Sequence, residues 1–430
     1  MTDPGEGDSA TERMTDPGEG DSATGKHAAD TGSVEARLRD LLESLHPIGR
    51  HPETGGYRRF AWTPADRECR DWFHQQARAR DLAYQVDRNG NQWAWWGESR
   101  TGAVVTGSHL DSVPDGGALD GPLGVVSAFV AIDLLRSRDF VPAHSVAVVN
   151  FADEEGARFG VACAGSRLLT GALDPDRARS LAAVDGTTMA AAMRAAGHDP
   201  NGLGRDDEAL AAIGVFVELH VEQGRALADL AAPVGVGSAI WPHGRWRFDF
   251  AGRADHAGTT KLADRHDPML PFATTVLAAR DEATKRDILA TFGRVLVEPN
   301  GTNAIPSRVT AWLDARGPDP ADVEALVAAV ASRSTGTVTR ESWTPPVEFD
   351  RVLRERIVTV LEQRGGSAPP VLATGAGHDA GILAAEVPTA MLFVRNPTGV
   401  SHSPAEHAEL ADCVAGVEAL AAVLAELAGR

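Results

Sequence analysis

A glycine-rich loop at residues 107–124 constrains this chain more than any other stretch, because it lies between a valine-rich run and a helical pattern. The run predicts a buried strand, and residues 122–138 repeat Ala, Val and Leu at helical spacing. Catalytic and ligand-binding groups favour the carboxyl end of such a strand. His109 and Asp111 lie two residues apart, so an extended backbone points both to one side, where Asp111 can orient the imidazole. Asp120 returns to the same place after the turn.

Three further apolar runs end in groups of the same chemistry. They are residues 145–151 before Glu154 and Glu155, residues 214–221 with His220, and residues 388–394 before His402. Taken singly, each group is typical of a solvated loop or a satisfied core histidine. Together with the first loop they supply three imidazoles and two or three carboxylates at four predicted strand ends. We therefore expect them to meet at one edge of a largely parallel sheet.

That set of donors suits two borderline divalent cations bridged by one carboxylate. Zinc and manganese are the first candidates, and cobalt and nickel come next. Asp120 would be the shared ligand. In the adjacent pair of glutamates, one carboxylate can bind a cation while the other stays free to carry a proton, and a turn at Gly156 would bring both to one site.

The composition excludes several classes of function. The net charge of −19, from 41 Lys and Arg against 60 Asp and Glu, argues against nucleic acid or an anionic membrane as a partner. No apolar run approaches the roughly 20 residues of a membrane-spanning helix, and the N-terminus has no signal-sequence pattern, so the sequence predicts a cytoplasmic protein. The three cysteines, Cys69, Cys163 and Cys413, are far apart and odd in number, which indicates a reducing compartment.

A thiol amidase with Cys163 as nucleophile and His220 as base is a competing hypothesis.

The N-terminal segment repeats itself, since MTDPGEGDSAT occupies residues 1–11 and recurs at residues 14–24. It is rich in Gly, Asp, Glu, Ser and Pro and has few large apolar residues, so it cannot bury enough surface to offset the entropy of ordering. We predict a disordered acidic tail over residues 1–32, with Met14 as a candidate start. From Val34 the pattern becomes helical.

The rest of the chain is too long for one ordinary core and predicts two domains. Residues 33–240 and 349–430 together predict an α/β metal-binding catalytic domain, a mixed and mostly parallel sheet flanked by helices. Residues 241–348 predict an insert with the order strand, helix, strand, strand, helix, strand, which is ferredoxin-like. Its exposed edge strand and open face favour a homodimer formed through the insert. Within it, His256 could donate to an oxyanion and Arg316 could clamp a carboxylate.

At this point the sequence resembles a known family. Nine motifs are similar, in order, to those of the carbamoylase and allantoate amidohydrolase branch of the dinuclear metallo-aminoacylase and carboxypeptidase superfamily: GSHLDSVPDGGALDGPLGV, FADEEGARFG, AGSR, ELHVEQG, DHAGTT, TNAIPSRV, DAR, GAGHDAG and VSHSPAEH. The match extends from Val34 to the C-terminus. It implies an aminopeptidase-like catalytic domain with an inserted lid and dimerisation domain.

The resemblance also implies a role for each residue of the site. The implied metal ligands are His109, Asp120, Glu155, His220 and His402, with Asp120 bridging. The implied general base is Glu154, and Asp111 orients His109. The implied substrate contacts are Gln223, His256, Asn303, Arg316, Gly377 and His378, with His256 often reaching the site of the partner subunit.

These expectations predict an amidohydrolase that cleaves a C–N bond of a small ureido acid. Glu154 would take a proton from water and return it to leaving ammonia, while His256 stabilises the oxyanion. Allantoate is the favoured substrate, because LFVRNPTGVSHSPAEH and WPHGRWRFDFAGRADHAGTT look most like allantoate enzymes. The opening loop resembles N-carbamoyl-L-amino acid hydrolases as closely, so that activity is the alternative, and a β-ureidopropionase type is more remote. A metal-binding protein without catalysis is a further alternative, whose mark would be a missing ligand.

Overall fold

A computed structural model of the chain describes Met1 and residues 21–429, with side chains described from residue 33 onward. The described part contains fifteen strands: β1 (Ala83–Val86), β2 (Gln92–Trp96), β3 (Ala103–His109), β4 (Val146–Phe151), β5 (Ile213–Val221), β6 (Val234–Ile240), β7 (His243–Ala251), β8 (Asp255–His256), β9 (Leu289–Glu298), β10 (Ala304–Ile305), β11 (Arg308–Arg316), β12 (Thr337–Thr344), β13 (Val347–Glu348), β14 (Val371–Thr374) and β15 (Thr389–Val394).

The same described residues form thirteen α-helices. They are α1 (Asp21–Leu45), α2 (Pro64–Ala79), α3 (Pro122–Ser137), α4 (Ala164–Thr170), α5 (Pro175–Ser180), α6 (Met189–Ala195), α7 (Asp207–Ala212), α8 (Ala226–Asp229), α9 (Met269–Arg286), α10 (Pro320–Arg333), α11 (Arg351–Gly365), α12 (Asp379–Leu383) and α13 (Leu410–Ala428). Of these helices in the described part, none combines the length and apolar character needed to cross a membrane.

A nine-stranded mixed sheet forms the larger layer, in the order β1-β2-β4-β3-β5-β15-β6-β13, with β14 also paired to β6. The four central strands β4, β3, β5 and β15 are parallel to one another. Antiparallel neighbours extend the sheet on both sides. The predicted α/β class with a mixed, largely parallel sheet is therefore confirmed.

Helices cover both faces of this sheet, which explains why its central strands are apolar without alternation. Val104 of β3 packs in the core formed with α1, α2, α3, α11 and α13. The next residue, Val105, packs in a second core formed with α4, α7 and α12. The first turn of α3 lies against the sheet and requires glycine at residue 124, because a Cβ there would lie 2.3 Å from the carbonyl oxygen of Leu219 in β5.

The insert is a four-stranded antiparallel sheet in the order β12-β7-β11-β9, with the predicted ferredoxin-like sequence of strands and helices. Phe248 and Phe250 of β7 face α9 and α10 and pack against residues such as Ala283 and Leu326. The alternate residues of β7, including Arg247, are more exposed, so helices cover one face of this sheet.

Two predicted boundaries differ in the structure. The predicted tail at residues 1–32 falls mostly outside the described residues, but its last part, residues 21–32, begins α1, because a helix anchored in the core by residues such as Leu38 extends at little cost. The insert was predicted to end at residue 348, yet β13 pairs with β6 of the large sheet. Pro404 is compatible with the first turn of a helix, but α13 begins only at Leu410, and the loop before it contributes side chains to the site.

Candidate active site

The carboxyl ends of four adjacent strands meet at one edge of the large sheet, and the predicted groups lie there. β3 and β4 end together, with His109 opposite Phe151 in the parallel register. β5 and β15 also end together, with His220 opposite Phe393. Because parallel strands leave the sheet at the same edge, the loops that follow them share one space.

His109, Asp120 and His220 form a first group whose metal-binding atoms all lie within 4.8 Å of one another. Nε2 of His220 is 3.2 Å from Oδ1 of Asp120, and Nε2 of His109 is 3.8 Å from the same oxygen. Gly121 leaves room for the ring, since it has a φ of +83° and a Cβ there would lie 2.5 Å from Cε1 of His109. All three ligand side chains are buried.

Asp120, Glu155 and His402 form a second group with the same spread of ligand atoms. Nε2 of His402 lies 3.4 Å from Oδ2 of Asp120 and 3.7 Å from Oε2 of Glu155. Asp120 thus presents one oxygen to each group. A carboxylate placed in this way can bridge two cations, as predicted for this residue.

The two buried imidazoles are held in the tautomer that a metal ligand needs. Nδ1 of His220 lies 2.9 Å from the carbonyl oxygen of Val221, and Nδ1 of His109 lies 3.2 Å from that of Asp111. A carbonyl only accepts, so Nδ1 carries the proton and Nε2 keeps its lone pair. Nε2 of His220 is buried and has no hydrogen-bond partner among the described residues, which fits a position facing a cation.

Asp111 has a wider role than the predicted orientation of His109. Its Oδ1 lies 3.4 Å from Nδ1 of His109. The same carboxylate also accepts the backbone N–H groups of Glu154 and Glu155, each at 3.1 Å. These bonds fix the turn after β4, in which Asp153 and Gly156 have φ angles of 55° and 60°. One carboxylate therefore positions both a ligand and the adjacent pair of glutamates.

Glu154 lies beside the two groups without belonging to either. Its side chain is buried, and Oε2 lies 3.8 Å from Nε2 of His109. Its other oxygen, Oε1, accepts a hydrogen bond from the thiol of Cys163 at 3.2 Å. Burial raises the pKa of the Glu154 carboxyl well above its usual range, which favours a group that takes up and releases a proton.

Ionising the buried carboxyl groups of this region is costly, and bound cations would offset that cost. Burial raises the pKa of Glu155 to about 8. Burial also acts to raise the pKa of Asp120, but the neighbouring imidazoles, His220 first, hold it below its usual value. Burial acts to lower the pKa of His109, yet neighbouring carboxylates, Glu154 first, raise it well above its usual value. Donor types, tautomers and charge therefore all fit two divalent cations.

The loop before α13 contributes a residue that the sequence did not predict. Oε1 of Glu406 accepts the backbone N–H groups of Leu119 and Asp120 at 2.9 and 3.0 Å. Ser401 donates to Oδ2 of Asp120 at 3.1 Å. The available sequence signal for Glu406 was its position four residues after His402, because both residues lie in one short loop.

Gln223 and Arg316, both predicted substrate contacts, line one cavity of about 540 Å³ together with His402. Nε2 of Gln223 donates to Oδ2 of Asp120 at 2.9 Å. Nη1 of Arg316, from the insert, donates to the carbonyl oxygen of Gly375 at 2.7 Å. The cavity therefore lies between the two domains and opens onto the second metal-binding group.

His256 and Asn303 lie together in the insert, where β8 and β10 pair and the backbone N–H of Ala257 donates to the carbonyl of Asn303 at 2.9 Å. Both residues are exposed. No hydrogen bond or ion pair among residues 33–429 connects their side chains to the five predicted ligands. Within a single chain, these two predicted substrate contacts are separate from the metal-binding groups.

His378 is brought to the site from the turn that also contains Gly377. Its ring centroid lies 4.5 Å from that of His220, and Glu218, His220 and His378 form a third cluster of ligand-type atoms. Glu218 already accepts hydrogen bonds from Ser108 and the backbone of Ala380. Burial lowers the pKa of His378 well below its usual value, so this imidazole is neutral.

Cys163 is in an environment that opposes a thiolate nucleophile. Burial raises the pKa of its thiol well above the usual value, and the neighbouring charge of Glu154 acts in the same direction. The thiol donates to Glu154 instead of facing an imidazole base. The arrangement does not support the thiol amidase hypothesis.

Comparison with known proteins agrees with this geometry. Residues 105–426 match the model of peptidase family M20/M25/M40. The chain is 35% identical to the N-carbamoyl-L-amino acid amidohydrolase of Geobacillus stearothermophilus, over 89% of this chain and 96% of that protein. It is 33% identical to the allantoate amidohydrolase of Escherichia coli, over 91% and 97%.

Solved structures give the same result for the fold. An amidase of the hydantoinase/carbamoylase family from Burkholderia vietnamiensis superposes with a TM-score of 0.83 at 30% identity, over 92% of this chain and 98% of that chain. The family match covers most of the sequence, and the described site contains two ligand groups that share one carboxylate. The chain therefore belongs to peptidase family M20/M25/M40 and is an amidohydrolase of the hydantoinase/carbamoylase type.

Proposed function

We propose that the protein hydrolyses the terminal C–N bond of a ureido acid with two divalent cations, releasing ammonia. The observation that carries this proposal is the position of Asp120 between two groups of metal-binding side chains, with Glu154, which belongs to neither group, beside them. His109, Asp120 and His220 would hold one cation, and Asp120, Glu155 and His402 the other.

When bound, the cations supply Lewis acidity at the ureido carbonyl and make water more acidic. Oε2 of Glu154 accepts the proton of the attacking water, and the water oxygen bonds to the ureido carbon. Glu154 then returns the proton to the departing nitrogen as the C–N bond breaks. Ammonia leaves, and the carbamate that remains breaks down to an amine and carbon dioxide. Asp111 keeps the base in place through the backbone of the turn.

Arg316 is the proposed anchor for the substrate carboxylate. It lines the cavity beside Gln223 and His402, and its planar guanidinium suits a bidentate carboxylate contact. A bound carboxylate would compete with Asp314, which accepts from Nε of Arg316 at 2.8 Å. Gln223 would then donate to a polar group nearer the cations.

His256 and Asn303 would complete the site from a second copy of the chain. The outer strand β9 and helix α9 of the insert expose large apolar side chains, among them Leu277 at 66% and Leu296 at 47%. An unpaired edge strand with exposed leucines favours association between two inserts. Such a homodimer would bring His256, an oxyanion donor, toward the partner's cations.

The walls of the cavity favour an N-carbamoyl-L-amino acid with an apolar side chain. Trp241, Leu289 and Leu372 line it beside Arg316, so a substrate would find an apolar surface next to a carboxylate anchor. Allantoate, the substrate favoured from the sequence, carries a second polar ureido group in place of an apolar side chain. It stays the second candidate, supported by similarity to the Escherichia coli enzyme.

Two measurements test this proposal. Glu154→Gln should keep both cations and lower kcat at least about a hundredfold, because it removes the general base. Glu386→Gln, on the surface beside Arg205, is the control and should match the wild type. Ammonia release from N-carbamoyl-L-leucine and from allantoate, measured side by side, decides between the substrates. Release from neither, with cations bound, would refute the proposed activity.

A further inference from the structure

The proposed mechanism uses one oxygen of Glu154 and leaves the other unexplained. Oε2 lies on the side of His109, whose Nε2 is 3.8 Å away. The other oxygen, Oε1, accepts the Cys163 thiol at 3.2 Å. The thiol therefore contacts the oxygen of Glu154 that the proposed mechanism does not use.

Backbone hydrogen bonds fix the position of Cys163, and these bonds do not involve its thiol. N–H groups of Cys163, Ala164 and Gly165 donate to the carbonyls of residues 154, 153 and 152 in turn. Cys163 itself has φ 55° and ψ 39°, a left-handed conformation that non-glycine residues seldom adopt. Three consecutive backbone hydrogen bonds thus join the start of α4 to the segment that contains Glu154.

We propose that Cys163 is a positioning residue for the general base: its S–H group holds Oε1 of Glu154 so that Oε2 faces the cations and the attacking water. This inference rests on the role proposed above for Glu154. A carboxylate on a flexible side chain samples several rotamers, and a donor fixed by the backbone removes most of that freedom. The function needs a donor at this atom, so serine should serve and alanine should not.

Cys69 and Cys413 provide matched controls. Both are buried in the main core, in α2 and α13, and belong to the cluster that packs on the other face of the sheet from α4. Replacing either by alanine removes the same sulfur atom from a packed interior. A loss of stability should therefore appear in all three alanine variants. A loss of base positioning should lower kcat only in Cys163→Ala.

Steady-state kinetics give the first test. Cys163→Ala should lower kcat roughly tenfold with KM and metal content unchanged, since a hydrogen bond to a charged group is lost. Cys163→Ser should stay within about threefold of the wild type, because a hydroxyl also donates. Cys413→Ala should leave kcat unchanged. An unchanged kcat in Cys163→Ala, or equal losses in the alanine and serine variants, would overturn the inference.

The S–H stretching band in the infrared gives a second test that needs no turnover. In the double variant Cys69→Ala, Cys413→Ala, Cys163 is the single thiol, and its band should have the lowered frequency of a hydrogen-bonded S–H group. Adding Glu154→Ala should shift the band toward that of a free thiol. No shift would show that the contact is absent, and this result would leave the proposed hydrolysis itself standing.

Discussion

Replacing Glu406 tests how the bridging carboxylate is held. Glu406 is 8% exposed, and its Oε1 accepts two backbone N–H groups from the loop that carries Asp120. Glu406→Ala would leave both N–H groups without this acceptor. Glu406→Gln keeps an oxygen acceptor for both N–H groups.

The expected size of the effect follows from these two bonds. Hydrogen bonds to a charged group contribute about 1.5–3 kcal/mol each, and part is recovered when a loop relaxes toward water. Since Leu119 is only partly buried, we expect Glu406→Ala to destabilise the fold by about 2–4 kcal/mol. Replacing a residue that orients a metal ligand typically lowers metal affinity by about 10- to 100-fold. The alanine variant should therefore bind its cations more weakly by about that factor.

Metal content after dialysis against graded chelator concentrations measures the affinity, and thermal unfolding measures the stability. Glu406→Gln should lie within about threefold of the wild type in affinity, since it keeps the acceptor. Glu409→Ala is the control, because that side chain is exposed and pairs with His407. If Glu406→Ala binds its cations as tightly as the wild type, the two hydrogen bonds do not hold Asp120 and the reasoning is wrong.

Further predictions concern the cations and the insert. Asp120→Ala should remove both cations and Asp111→Ala should chiefly weaken one, which metal analysis of the purified variants will check; retention of both in Asp120→Ala would contradict bridging. Burial raises the pKa of Glu155 to about 8 in the metal-free fold, above its usual 4.5, so the metal-free protein should lose stability as pH rises between about 4.5 and 8. Thermal unfolding with and without chelator should show that the loaded protein lacks this decline. Leu277→Glu with Leu296→Glu should shift a dimer toward monomer in sedimentation and lower activity; an unchanged sedimentation coefficient would place the contact elsewhere.

The edge of the sheet that holds the candidate site could be predicted, because buried strands and polar side chains are both visible in the sequence. Strands β3, β4, β5 and β15 are covered on both faces, so each appears in the sequence as a continuous apolar run. A polar side chain at the end of such a run therefore indicates a candidate site residue. His109, Glu155, His220 and His402 were predicted as ligands in this way or by resemblance, and they converge in the structure.

Contacts between distant segments could not be predicted in this way. Glu406 and Asp120 lie 286 residues apart in the sequence, and no periodicity links them. The second role of Asp111, accepting the N–H groups of Glu154 and Glu155, also depends on two loops meeting. The late start of α13 has the same origin, since a helix begun at Pro404 would not leave Glu406 in an irregular loop facing Asp120.

The amino-acid sequence alone thus determined the α/β class, the order of strands and helices in the insert, and the side chains that converge at one edge of the large sheet, because hydrophobic pattern and side-chain chemistry are local properties. Tertiary structure decided the rest: which oxygen of Asp120 faces which group of side chains, that the Cys163 thiol contacts Glu154, and that no hydrogen bond or ion pair among residues 33–429 joins His256 to those groups. These contacts join residues of different segments that meet only when the chain folds, so no local sequence pattern predicts them.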